Sequence, residues 1–137
     1  MVFHSLSRKA SWERKSMSGD EKLKQDIIQK FGTPCAVIDL DIVDKNIAHL
    51  QALCNTARLA NRPHIKTHKS PLLALRQIEA GAIGVTCQKL GEAEVMVRAG
   101  IKDILIATNI IGAAKSGKLA ALLRDISLKI CADNPTS

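Results

Sequence analysis

Two kinds of hydrophobic pattern alternate along the chain. Apolar residues that recur every three or four positions predict amphipathic helices, and short segments with strand-like patterns lie between them. The predicted strands are Cys35–Leu40, 62–68, Ile83–Gln88, Ile104–Asn109 and Ile126–Asp133. The predicted helices are 18–30, one that begins at an Asp41 cap, one from Ser70-Pro71 to Gly81, Gly91–Ala99 and about 113–124.

Five strands that alternate with helices predict an α/β fold with right-handed βαβ units and a parallel sheet. In such folds functional side chains gather where the strands end. The residues at these positions are Asp39, Asp41, Lys66, His68, Gln88, Lys89, Asn109 and Asp133. Each of them alone is more often a helix cap, so the site hypothesis depends on their convergence.

The segment from Arg62 to Lys69 carries the strongest chemical signal. If it is extended, His64, Lys66 and His68 share one face, and Lys66 points inward between two imidazoles. We expect a lysine that is desolvated among cationic groups to have a lowered pKa, which favours Schiff-base formation with a carbonyl. A solvated basic edge strand explains the same eight residues equally well. Zinc is disfavoured, since the two histidines of a strand would lie roughly 13 Å apart.

Composition narrows the class of protein. The chain has 137 residues, a formal net charge of +7 and 46% apolar residues, but only three aromatic residues. The size suits one domain, whose core must be aliphatic. Nucleic acid is disfavoured, because the basic residues are dispersed and aromatic stacking residues are scarce. The positive net charge is compatible with an anionic small-molecule ligand. Four cysteines without C-x-x-C spacing predict free thiols, buried in a reducing compartment.

The segment from Gly112 to Lys118 matches the phosphate-binding pattern G-x-x-x-x-G-K. In nucleotide hydrolases the next residue is Ser or Thr, whose hydroxyl binds magnesium, and here it is Leu119. A helix start rich in small residues is therefore the preferred interpretation.

The first residues do not form a secretory signal, because they lack a continuous apolar stretch. We expect residues 1–17 to be a disordered extension, with organelle targeting as a weaker alternative. No apolar run is long enough to span a membrane. A cytoplasmic location is the prediction.

Several blocks of the sequence resemble the D-threonine aldolase and D-serine dehydratase family, within the alanine-racemase-like enzymes that use pyridoxal 5'-phosphate. The resemblance covers about Gly32 to Pro135. It is carried by Thr33-Pro34, the Ile38-Asp39-Leu40-Asp41 strand end with Asn46, the segment Arg62 to Ser70, and Cys87-Gln88-Lys89-Leu90-Gly91-Glu92-Ala93-Glu94.

The resemblance implies a fold, a cofactor and a reaction. Residues 18–137 would form the N-terminal half of a TIM-like (β/α)8 barrel, and Lys66 matches the lysine that forms the Schiff base. It further implies a small D-3-hydroxy amino acid as substrate, a divalent metal (Zn, Mn or Mg) and a homodimer. His64, His68, Gln88 and Asn109 are candidates for lining the cofactor, because of their inward or strand-end positions.

A complete barrel of this type needs about 250 residues. We therefore expect the chain to be a fragment that is catalytically silent alone, without the metal ligands and the later phosphate-binding loops. Aldolase and dehydratase chemistry both remain open. The alternatives are a non-catalytic module that holds the cofactor and, ranked last, a basic nucleic-acid-binding domain.

Overall fold

A computed structural model describes residues 19–124 and 126–133, so the predicted extension 1–17 lies outside the described residues. The chain divides into two compact units, residues 1–43 and 44–137. The helices are α1 (Gly19–Phe31), α2 (Leu40–Thr56), α3 (Pro71–Glu79), α4 (Leu90–Arg98) and α5 (Ala113–Leu122). The strands are β1 (Val85–Cys87), β2 (Asp103–Ile106) and β3 (Ser127–Ile130). A 3₁₀ turn covers Ile65–Thr67.

The start of α2 differs from the prediction. Asp39, and not Asp41, caps the helix, because its Oδ1 accepts a hydrogen bond from the Ile42 amide at 3.1 Å. Asp41 instead lies in the first turn, where its charge favours the helix dipole. The predicted strand Cys35–Leu40 is wrong, since residues 35–39 are neither helix nor strand. An apolar run forms a strand only where a neighbouring strand pairs with it.

The three strands form a parallel sheet in the order β1-β2-β3. Val85 pairs with Ile104, and Asp103 pairs with Ser127. His64 adds an isolated parallel bridge to Thr86. The predicted parallel α/β architecture is confirmed, and the half barrel remains a prediction.

The core lies between the sheet and helices α3 and α4. Its buried members are aliphatic residues, methionine and cysteine: Ile65, Ala74, Val85, Cys87, Leu90, Ala93, Met96, Ile101, Ile104 and Ile106. The four cysteines are free, as predicted, but Cys131 is exposed and Cys87 alone is fully buried. Burial, with a smaller effect from Glu92, raises the pKa of the Cys87 thiol to about 12, so this thiol is a core residue.

The predicted strand over residues 62–68 is wrong except for the single bridge at His64. The imidazole Nδ1 of His64 accepts a hydrogen bond from the Lys66 amide at 3.2 Å. The amides of His68 and Lys69 both donate to the Ile65 carbonyl, at 3.2 and 2.7 Å, and close a turn. Ile65 is fully buried while Lys66 and Thr67 are both exposed, so the period of two ends here.

Charged side chains connect the N-terminal ends of the strands. Arg62 forms an ion pair with Asp103, the first residue of β2. Lys129 of β3 also contacts the Asp103 carboxylate, at 2.9 and 3.0 Å. Gly84, just before β1, gives Arg62 room to reach across, because a Cβ there would collide with both Arg62 and Asp103. Within the described ranges, no helix is long and apolar enough to cross a bilayer.

Candidate functional site

The candidate site lies where the parallel segments end. The 3₁₀ turn follows the His64 bridge, Gln88 follows β1, and Asn109 lies three residues after β2. Because these segments run in parallel, their C-terminal ends lie on one side of the sheet. The fold therefore places the five predicted site residues on the side where α/β proteins hold their ligands.

Lys66 is exposed, so the prediction of an inward, desolvated amine is wrong. The cause is the 3₁₀ turn, which rotates this residue away from the face that an extended strand would give it. Within residues 19–124 and 126–133 the Lys66 Nζ has no hydrogen bond or ion pair. The turn thus presents a primary amine to solvent on a backbone that His64 holds in place.

His68 is half-buried beside this turn. Its Nδ1 accepts a hydrogen bond from the Ser70 amide at 3.0 Å, so the neutral ring carries its proton on Nε2. The Nε2 atom is buried and has no hydrogen-bond partner among the described residues. Burial lowers the pKa of His68, although the Gln77 side chain and the Ser70 backbone act in the opposite direction. A neutral imidazole is favoured, with the Gln77 side chain beside it as the group that interacts with the ring.

A chain of polar contacts connects the three strand ends. The Gln88 amide donates to Glu92 Oε2 at 2.8 Å, and the Gln88 carbonyl accepts from Thr108 Oγ1 at 2.8 Å. The other Glu92 oxygen lies 3.5 Å from Lys69 Nζ, just after the Lys66 turn. The predicted site residues did not include Glu92, Thr108 or Lys69. A glutamate four residues after the strand-end glutamine was the available signal for Glu92.

Asn109 lines an open cleft of about 370 Å³ between the starts of α4 and α5. The cleft has a basic lining: Lys89, Leu90, Gly91, Glu94, Thr108, Asn109, Ile110, Ala114, Lys115 and Lys118. Of the five predicted residues, Asn109 alone belongs to this lining in the described part of the chain. The structure therefore groups His64, Lys66 and His68 in one turn, connects Gln88 to that turn through Glu92, and leaves Asn109 in a neighbouring cleft.

The described residues contain no group of three or more His, Cys, Asp or Glu side chains that could hold a metal ion. The Nδ1 atoms of His64 and His68 already accept backbone hydrogen bonds. These two imidazoles therefore serve the turn.

No protein-family model matches the chain, but individual proteins do. The chain is 41% identical to a D-threonine aldolase from Arthrobacter sp. over 109 residues, which are 80% of this chain and 29% of the relative. The crystal structure of D-threonine aldolase from Filomicrobium marinum superposes with a TM-score of 0.73 at 40% identity, over 74% of this chain and 28% of that one. A D-threo-3-hydroxyaspartate dehydratase variant in its metal-free form gives a TM-score of 0.69 at 38% identity, over 76% of this chain and 27% of that one.

These relatives are α/β aldolases and dehydratases, named for D-threonine and D-threo-3-hydroxyaspartate. Over about three quarters of its length the chain is homologous to D-threonine aldolase and D-threo-3-hydroxyaspartate dehydratase. It spans less than a third of the length of these relatives.

Proposed function

We propose that the chain is the N-terminal part of a pyridoxal-phosphate-dependent lyase that acts on D-3-hydroxy amino acids, with Lys66 as the Schiff-base lysine. The observation that supports this best is the exposed Lys66 amine at the end of a segment that pairs with the parallel sheet. The relatives named D-threonine aldolase and D-threo-3-hydroxyaspartate dehydratase support the reaction class.

The residues present fit the aldehyde end of such a cofactor. Schiff-base formation requires an amine that is accessible and not held in an ion pair, and Lys66 meets both conditions within the described ranges. The half-buried His68 imidazole lies beside the same turn. The strand-end positions of His64, Gln88 and Asn109 make them the remaining candidates for lining the cofactor.

When bound, pyridoxal phosphate supplies an electron sink for negative charge at the substrate Cα. Lys66 would hold the cofactor through its amine and, when that amine is free, would serve as an acid or base near the substrate Cα. Aldol cleavage breaks the Cα–Cβ bond, whereas dehydration removes the Cα proton and the 3-hydroxyl. Both outcomes use the same lysine.

We propose three further features that the resemblance implies. They are a half barrel over residues 18–137, a homodimer, and a divalent metal that polarises the substrate hydroxyl. Because the described residues contain no metal-ligand group, we propose that the metal ligands lie outside them.

The test is reductive trapping of the chain with pyridoxal phosphate and borohydride, followed by peptide mapping. We expect the label at Lys66 and its loss in Lys66→Ala. Lys102→Ala is the matched control, because Lys102 is an exposed lysine before the opposite, N-terminal end of β2. A folded chain with no preference for Lys66 would contradict the proposal.

A second arm of the same experiment tests the substrate. D-threonine should reduce trapping at Lys66 more than L-threonine does. The two enantiomers react equally with free pyridoxal phosphate in solution, so a difference between them must come from the protein. Equal effects of the two enantiomers would instead support a module that only holds the cofactor.

A further inference from the structure

Glu92 is a buried carboxylate that the proposed chemistry does not use. Its side chain is 9% exposed. A carboxylate that leaves water is stabilised only where hydrogen bonds or opposite charges replace the lost hydration. Glu92 has both, and the two partners come from different strand ends.

The first partner is the Gln88 amide in the turn between β1 and α4, which donates to Oε2 at 2.8 Å. The second is the Lys69 ammonium, 3.5 Å from Oε1. Lys69 lies three residues after Lys66, and its amide closes the Lys66 turn on the Ile65 carbonyl at 2.7 Å. The Lys69 backbone has a φ of 51°, a conformation that non-glycine residues adopt rarely.

We infer that Glu92 is a positioning residue, which fixes the Lys66 turn relative to the end of β1 through Lys69 and the Gln88 amide. This inference rests on the proposed function, since it assigns Glu92 a role in presenting the Schiff-base lysine. Glu92 acts through the Lys69 ammonium and the Gln88 amide and has no direct contact with Lys66.

The two contacts differ in strength, and this difference makes the role testable. The Lys69 side chain is 59% exposed, so water screens its ion pair with Glu92. The bond to the Gln88 amide is shielded, and its loss leaves a part-buried N–H without an acceptor. Glu92→Gln removes the charge but keeps an acceptor for Gln88, whereas Glu92→Leu removes both.

Two readouts are needed, because one must not depend on the cofactor. The first is amide hydrogen exchange at Lys69 and Gln88. The second is the rate at which pyridoxal phosphate becomes trapped at Lys66. Glu79→Gln is the matched control, since Glu79 is an exposed glutamate at the end of α3.

We expect Glu92→Gln to slow trapping at Lys66 about two- to fivefold, the factor that a screened ion pair contributes. Lys69→Met should do the same, and Lys69→Arg, which keeps the charge, should restore the wild-type rate. Glu92→Leu should also accelerate exchange at Gln88 by about fivefold or more. The thermal midpoint of Glu92→Gln should stay near that of Glu79→Gln, which separates positioning from general destabilisation.

Unchanged exchange at Lys69 and Gln88 in Glu92→Leu would overturn the inference, whatever the cofactor does. An unchanged trapping rate in Glu92→Gln would overturn it as well. If the wild-type chain is not trapped at Lys66 at all, the proposed function fails, and the exchange data still decide whether Glu92 fixes the turn.

Discussion

The two ends of the parallel sheet differ in how far their charged and polar side chains are paired. Near the N-terminal ends Arg62 and Lys129 both form ion pairs with the Asp103 carboxylate. At the C-terminal ends the Lys66 amine and the buried Nε2 of His68 have no partner within the described ranges. Parallel α/β folds commonly keep stability at the first end and chemistry at the second.

Arg62 and Lys66 show the contrast within one segment. They lie four residues apart and have the same charge, but Arg62 is 14% exposed and paired across Gly84, whereas Lys66 faces solvent. The position along the segment therefore separates a paired structural cation from an exposed one, and only the lysine carries an amine that can form a Schiff base.

Gly84→Ala should have the largest effect on stability. The added Cβ would collide with the Asp103 backbone and the Arg62 guanidinium, so strand ends must move apart or the ion pair must break. We expect a loss of about 2 to 3 kcal/mol in the free energy of unfolding, measured by urea denaturation.

Gly91→Ala is the control for that measurement. A Cβ at Gly91, in the first turn of α4, meets nothing within 4 Å. Alanine is the better helix former by about 0.5 to 1 kcal/mol, so this variant should be neutral or more stable. If both variants cost the same, the close approach at Gly84 is not important for stability.

The pH dependence of stability should report on the same end of the sheet. The hydrogen bond from Arg62, and then the contacts with Lys129, lower the pKa of Asp103 below its usual value. The ionised form is therefore favoured by folding, and this stabilisation is complete above the unfolded pKa of about 3.9 and lost as pH falls through the lower folded pKa.

Asp103→Asn should thus be less stable at pH 7 and should lose less stability between pH 5 and pH 2 than the wild type. Urea midpoints measured across that range test this, with Glu79→Gln as an exposed carboxyl control. If the urea midpoints of the wild type and Asp103→Asn fall by the same amount between pH 5 and pH 2, the network does not stabilise the fold.

Lys66→Ala should have the smallest effect on stability. The side chain is exposed and has no partner in the described part of the chain, so the free energy of unfolding should change by less than about 0.5 kcal/mol. A larger decrease in the urea midpoint would mean that the Lys66 side chain stabilises the fold, as the Arg62 side chain does.

Much of the fold could be predicted from hydrophobic spacing. The helices that became α3 and α4 and the strands that became β1 and β2 were predicted within a few residues. Ser70 and Pro71 start α3 as predicted, and the Ser70 side chain accepts a hydrogen bond from the Leu73 amide. Strong helix signals of this kind are local, so they need no knowledge of the partner elements.

The failures were in features that depend on specific contacts. A period of two cannot show that the His64 imidazole will cap the Lys66 amide and turn the chain after one bridge. The spacing of Glu92 from Gln88 was the available signal, but spacing alone cannot separate a buried glutamate from an exposed helical one. The five predicted site residues lie at the C-terminal side of the sheet, as their strand-end positions indicate, but their grouping required the structure.

The most direct test of the central claim is a quantitative peptide map after borohydride trapping with less pyridoxal phosphate than protein. We expect Lys66 to take more label than any other lysine, including the exposed lysines Lys89, Lys115 and Lys118 of the basic cleft. Label distributed among the exposed lysines, with Lys66 no more reactive than Lys102, would contradict the claim.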